Sequence, residues 1–143
     1  MLKLQLPNKV HPQKNHLAKF PLGGDALFIA NLARAQQKPF MYIVNDGYQL
    51  QRLVGELNLF APELRLAVFP DYEVLPYERQ SPYNELIAER LRTLWQVQHK
   101  QIDILLVQAT TLQMLLPPQD YFAQRVLLVK IGDRLDSEQL RSQ

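Results

Sequence analysis

Gly23, Gly24 and Asp25 stand in "PLGGDALFIANLAR" (Pro21–Arg34), two glycines directly ahead of an apolar run with helical spacing. A phosphate-cradling loop begins in much this way. Such a loop completes its chemistry with Gly-x-x-x-x-Gly-Lys-[Ser/Thr], where backbone N–H groups approach the phosphates, the lysine neutralises them and the hydroxyl holds magnesium. Here Gly24 is followed by Asp25 and Ala26, with neither lysine nor hydroxyl. At ~4 Å and an effective dielectric near 20, a carboxylate facing a phosphate charge costs roughly 4 kcal/mol. The sequence therefore reads Asp25 as an N-cap that fills the anion position with its own charge. A relic anion site and a working nucleotide site remain the other two readings of these residues.

Other candidate chemistry is sparser. "FMYIVND" ends in Asn45 and Asp46, where a magnesium-binding acid would sit. Yet Asp46-Gly47-Tyr48-Gln49 has capping-box spacing ahead of an apolar periodic run. Thr110 reads as another cap, and Ser81 as an N-cap with Pro82 at the first helical position. His11, His16 and His99 lack metal-ligand spacing, and the chain has no cysteine. No thiolate metal site or disulfide framework can form, which fits a reducing compartment. No metal and no catalytic residue is expected in this chain.

The elements that must hold these residues alternate. Helices are expected over Ala26–Gln36, Tyr48–Leu59, Tyr83–His99 and Thr110–Leu116. Strands are expected over Pro39–Val44, read as fully buried, and over Leu64–Phe69, Ile102–Gln108 and Arg125–Gly132. Alternation of this kind predicts an α/β fold with a three-layer parallel sheet and helices on both faces. Ligands of such sheets bind at the carboxyl ends of the strands, which singles out the loops at 23–25, 45–47, 70–82 and 108–110. On the longest helix Ile87, Ala88, Leu91, Leu94 and Trp95 share one face, read as a core stripe, and Glu85, Glu89 and Arg92 lie opposite.

The loop "PDYEVLPYERQSP" (Pro70–Pro82) is unusually apolar for its position. Tyr72, Leu75 and Tyr77 alternate with Asp71, Glu73 and Glu78. These side chains bury either on their own domain or on a partner, so Tyr72, Glu73, Leu75 and Tyr77 form a candidate interaction loop. Base stacking on the tyrosines is a third reading, weakened by the neighbouring acids.

Composition sets the outer bounds. The chain has 143 residues, 47% of them apolar, and a formal charge of +2. That supports a folded core and gives no basic patch that would argue for nucleic acid. The N-terminal lead has no signal-peptide core, and no apolar run reaches the ~20 residues of a membrane span. "GDRLDSEQLRSQ" reads as the start of a helix, so a longer natural protein is expected.

"FPDYEVLPYERQSPYNELIAERLRTLW" resembles a signature of the bacterial transcription-repair coupling factors (Mfd), "LPxWExLPYDxxSPxxxIxxxRLxxL". The matching residues are Pro70, Glu73, Leu75, Pro76, Tyr77, Ser81, Pro82, Ile87, Arg90, Leu91 and Leu94. "DILLVQATTLQMLLPP" and "VLLVKIGDRLDSEQLRSQ" are similar to that family in the same order. The resemblance runs from about Leu17 to the end.

It implies an N-terminal region like domain 1a of the excision-repair subunit UvrB, a RecA-like P-loop NTPase fold whose nucleotide loop at Gly23, Gly24 and Asp25 is degenerate. Residues 1–118 would form that domain, and 119–143 would begin an inserted UvrA-binding domain. The family displaces stalled RNA polymerase at DNA lesions and recruits UvrA for nucleotide excision repair in the cytoplasm. Its later domains bind RNA polymerase and double-stranded DNA, with ATP and Mg in a C-terminal translocase. UvrB's DNA-clamping hairpin does not fit the short gap from Pro70 to Pro82. A diverged NTPase that still binds nucleotide and a DNA-binding module are the alternatives.

Overall fold

A computed structural model describes residues 20–36, 38–72, 83–116 and 118. The chain divides into two compact units, Met1–Leu112 and Gln113–Gln143, and the sheet and helices belong to the first. In order they are α1 (Gly24–Gln36), β1 (Phe40–Val44), α2 (Gly47–Phe60), β2 (Leu66–Phe69), α3 (Asn84–Gln98) and β3 (Ile104–Gln108), followed by a 3-10 turn at Thr111–Gln113. The expected fourth strand, Arg125–Gly132, lies outside the described residues.

The sheet is three-stranded and parallel, in the order β1-β3-β2. Ile104 of β3 stands level with Phe40 of β1 and with Leu66 of β2. Aromatic and β-branched residues suit these strands, and flanking helices suit their parallel pairing. α1 and α2 cover one face. Their buried stripes, Ala26, Ile29, Ala30 and Ala33 on α1 and Leu50, Leu53 and Leu57 on α2, close over Val44, Ile104 and Leu106. The small alanines let α1 approach α2 closely. Phe40, Tyr42, Leu66 and Val68 pack against the same core. By strand alternation, Ala67 and Phe69 point to the opposite face, where α3 packs on β2. The fold is thus α/β with helices on both faces of a parallel sheet.

Two expectations need correction. β1 is not fully buried: Met41 is 50% exposed and Ile43 48%. Both lie on the face that α3 covers, but α3 sits over β2, so this flank of the edge strand stays open. On α3 the buried residues are Arg90 and Thr93, while Ile87, Leu91, Leu94 and Trp95 are half-buried and Ala88 is exposed. The helix turns its polar row to the sheet because that row finds partners there. The Thr93 hydroxyl donates to the Val68 carbonyl at 3.3 Å, and Arg90 reaches the Pro70 carbonyl at 2.6 Å.

At the opposite edge of the sheet an ion pair ties the entries of β2 and β3 together. Arg65 gives its backbone N–H and two guanidinium nitrogens to Asp103, at 2.8, 3.1 and 2.7 Å. The Asp103 amide returns a bond to the Arg65 carbonyl at 2.8 Å. These reciprocal bonds fix the β2–β3 register. The Arg65 guanidinium holds the Asp103 carboxyl below the usual aspartate range. A depressed carboxyl contributes stability that is complete above ~3.9, its unfolded value, and fades as pH falls through its lower folded value. Leu53→Ala empties the centre of the core and should cost about 2–5 kcal/mol in urea unfolding at neutral pH. Asp103→Asn should flatten the loss of stability below about pH 4 relative to the parent.

Candidate functional site

The carboxyl ends of the strands gather the loops that sequence reasoning singled out. At the first, Gly23 takes φ +77°, a left-handed conformation open to glycine at little cost. The Gly24 amide then donates to the Pro21 carbonyl at 2.9 Å. A Cβ on Gly24 would stand 3.1 Å from Cδ of Pro21, so the turn is tight as well as left-handed.

Helix α1 starts at Gly24, two residues earlier than an Asp25 cap requires. Asp25 therefore lies inside the first turn and is not the N-cap. Its Oδ1 accepts the Ala26 amide at 3.0 Å. The same carboxylate is gripped by Arg52 of α2, through Nη1 to Oδ1 at 3.1 Å and Nη2 to Oδ2 at 2.5 Å. Arg52 also donates to Glu56 one turn on, at 2.7 Å. The three side chains are mostly buried, at 15%, 21% and 22% exposure for Asp25, Arg52 and Glu56.

The bonds from Arg52, against an opposing effect of burial, hold the Asp25 carboxyl below its ordinary value. Asp25 and Glu56 raise the Arg52 guanidinium above its already high one. A cation does stand beside this loop, supplied by α2, but two carboxylates already use it. With both ionised the cluster carries a net −1, which repels an incoming phosphate.

At the second loop Asp46 is the N-cap of α2, as its spacing predicts, and accepts the Gln49 amide at 2.8 Å. The Gln49 side chain reaches back to the Asn45 amide at 3.0 Å, one residue before the cap position of a standard capping box. A Cβ on Gly47 would stand 3.2 Å from Nε2 of Gln108, which closes the end of β3 against α2. The helix expected over Thr110–Leu116 is only the 3-10 turn, cut short ahead of Pro117 and Pro118. The Thr110 hydroxyl donates to Asp71 at 3.2 Å.

The third loop begins on an aromatic sandwich. The guanidinium of Arg90, 3% exposed, lies 4.1 Å from the Phe69 ring centroid and 3.9 Å from that of Tyr72. Stacking and the Pro70 bond compensate the buried charge. Nη2 of Arg90 and the hydroxyl of Thr111 have no hydrogen-bond partner among the described residues. Tyr72 thus packs on its own domain, while Glu73, Leu75 and Tyr77 lie outside the described residues. Ser81 and Pro82 also lie outside them, and α3 starts at Asn84 with Tyr83 at the cap position, so Ser81 is not its N-cap. At the far end of α3 His99 stacks on Trp95 at 4.1 Å, its Nδ1 2.8 Å from the Trp95 carbonyl. His11 and His16 are outside the described residues. Among those described, no three His, Cys, Asp or Glu side chains are placed to hold a metal ion.

Sequence reasoning missed Arg52 and the inward turn of Arg90. Arg52 stands 27 residues from Asp25 on a helix whose apolar spacing alone was readable. Its i,i+4 relation to Glu56 is legible from spacing, but that relation says nothing of a contact with Asp25.

The fold and these loops define a parallel α/β module in which the glycine turn ahead of α1 is closed by an internal ion pair. No protein-family model matches the chain. Curated relatives do, and those compared all carry one name: this chain is homologous over most of its length to the transcription-repair-coupling factors. It is 35% identical to that of Haemophilus influenzae over 124 residues, which is 85% of this chain and 10% of the relative. With the Escherichia coli protein it shares 31% over 118 residues, 82% of this chain and 10% of the relative. The Bacillus subtilis protein is 24% identical over 123 residues, again 85% and 10%. The chain thus spans about a tenth of the length of these relatives.

Asp25→Asn removes the charge that Arg52 grips. It should cost about 1–2 kcal/mol at pH 7, read as a lower urea midpoint. The cost should shrink below about pH 4, where the parent carboxyl protonates in the unfolded chain.

Proposed function

We propose that this chain is a non-catalytic module from the N-terminal part of a transcription-repair-coupling factor. Its role is to scaffold recruitment of the excision-repair subunit UvrA and to pack against the rest of a longer polypeptide. RNA polymerase displacement, contact with double-stranded DNA and ATP hydrolysis with Mg belong in this reading to other domains, and the module itself needs no cofactor. The gene product would work in the cytoplasm; no described helix is long and apolar enough to cross a membrane.

The observation that carries the reading is the Asp25–Arg52–Glu56 cluster at the start of α1. A nucleotide loop keeps its first-turn amides and a cation free for phosphate. Here the Gly24 and Ala26 amides are bonded internally, and the nearest cation serves two carboxylates. The glycine turn is what a P-loop ancestor would leave behind, which supports a degenerate nucleotide site. Homology to the coupling factors supports the choice of family, and UvrA as partner follows from the resemblance of the loop at 70–82.

Two measurements test this. Titration calorimetry with Mg-ATP should give no saturable heat up to about 1 mM ligand; a dissociation constant below about 100 μM (about −5.5 kcal/mol) would instead establish a diverged NTPase. Immobilised UvrA should retain the longer N-terminal region of the protein. Absence of retention at micromolar concentration counts against the scaffold role.

A further inference from the structure

We propose that the open edge of β2, walled by one flank of α3, is a docking groove for an extended peptide segment carrying basic side chains. The inference does not depend on the functional reading above. Among the described residues β2 pairs with β3 along one edge only. The Arg65 carbonyl accepts the amides of Asp103 and Ile104, so Arg65, Ala67 and Phe69 turn their main-chain groups toward β3. By alternation Leu66 and Val68 turn theirs away from it. One outward group is already used, since the Val68 carbonyl accepts from the Thr93 hydroxyl. The N–H and C=O of Leu66 and the N–H of Val68 find no partner among the described residues.

Those three groups open into a groove of about 510 Å³, lined by Leu66–Val68 and by Glu85, Ala88, Glu89, Arg92 and Gln96 of α3. A row of unpaired strand amides and carbonyls is matched by another extended backbone, which is how peptides add to sheet edges. Four strand residues span only ~13 Å, so the added segment is short.

The charge on the wall selects its side chains. Arg90 bonds to Pro70 and Thr93 to Val68, so α3 runs antiparallel to β2, and Glu85 and Glu89 lie toward its carboxyl end. Among the described residues neither glutamate has an ion-pair partner, and Arg92 alone offsets them. A lysine or arginine on the incoming segment meets this acidic end, whereas an acidic segment is repelled by it. Exposed Ala88 leaves the space between the glutamates open.

The test uses the 143-residue chain and three labelled octapeptides of alternating valine and a variable residue, which is lysine, glutamate or serine. At low salt the lysine peptide should bind about tenfold or more tighter than the glutamate peptide and slow amide exchange at Leu66 and Val68. The double variant E85K/E89K, checked for folding by thermal melting, should invert the preference. Ala88→Trp, a bulky change at an exposed helix position, should abolish binding of every peptide. Equal affinity for the three peptides, exchange protection on β1 instead of β2, or no binding of any peptide at about 1 mM would each overturn the proposal.

Discussion

The fold turns on the position of β3. Among the described residues it is the last strand in sequence and the middle one in the sheet, so β1 and β2 can be joined only by a crossover that leaves a gap for it. One crossover runs outward past that gap and the next runs back into it. With a common hand, the two connecting helices must lie on opposite faces. That constraint puts α2 with α1 over Val44, Ile104 and Leu106 and sends α3 to the other side. Burial of Ile104, Leu106 and Val107 is the direct result.

On this frame three arginines do work that the apolar core cannot. Arg65 joins the entries of β2 and β3 through Asp103. Arg52 joins α2 to the first turn of α1 through Asp25. Arg90 anchors α3 to the exit of β2 through a carbonyl and two aromatic rings. Each connects elements distant in sequence, and each uses the planar fork or flat face of the guanidinium, which a lysine does not possess. The Arg52 cluster has the further effect of saturating the helix start that follows the Gly23–Gly24 turn. Its architecture resembles an anion site, but the anion is covalently part of the chain.

Much of the layer was legible in the sequence. The alternation of strands and helices, the parallel sheet and the Asp46 cap follow from periodicity and from local spacing, and the structure bears them out. The misreadings came where a tertiary contact outweighed a local pattern. The uninterrupted apolar run of β1 suggested burial on both sides, but burial depends on which helix lies above the strand, and none covers Met41 and Ile43. The apolar stripe on α3 suggested a core face, yet the buried row is Arg90 and Thr93, because hydrogen bonds and ring stacking reward polar groups aimed at β2. Asp25 looked like a cap because nothing local announces an arginine 27 positions later. Helix α1 begins two residues early because Gly23 can adopt the left-handed turn that admits it.

Met41 and Ile43 leave β1 with a hydrocarbon strip on its outer flank. Between them Tyr42 points inward, and among the described residues the far edge of the strand has no neighbour. Strips of this kind adhere to one another in concentrated solution. This flank of the layer is therefore prone to meet another apolar surface. The remedy is confined to two side chains: polar replacements at 41 and 43 would leave the inward residues of β1 untouched and make the strand amphipathic.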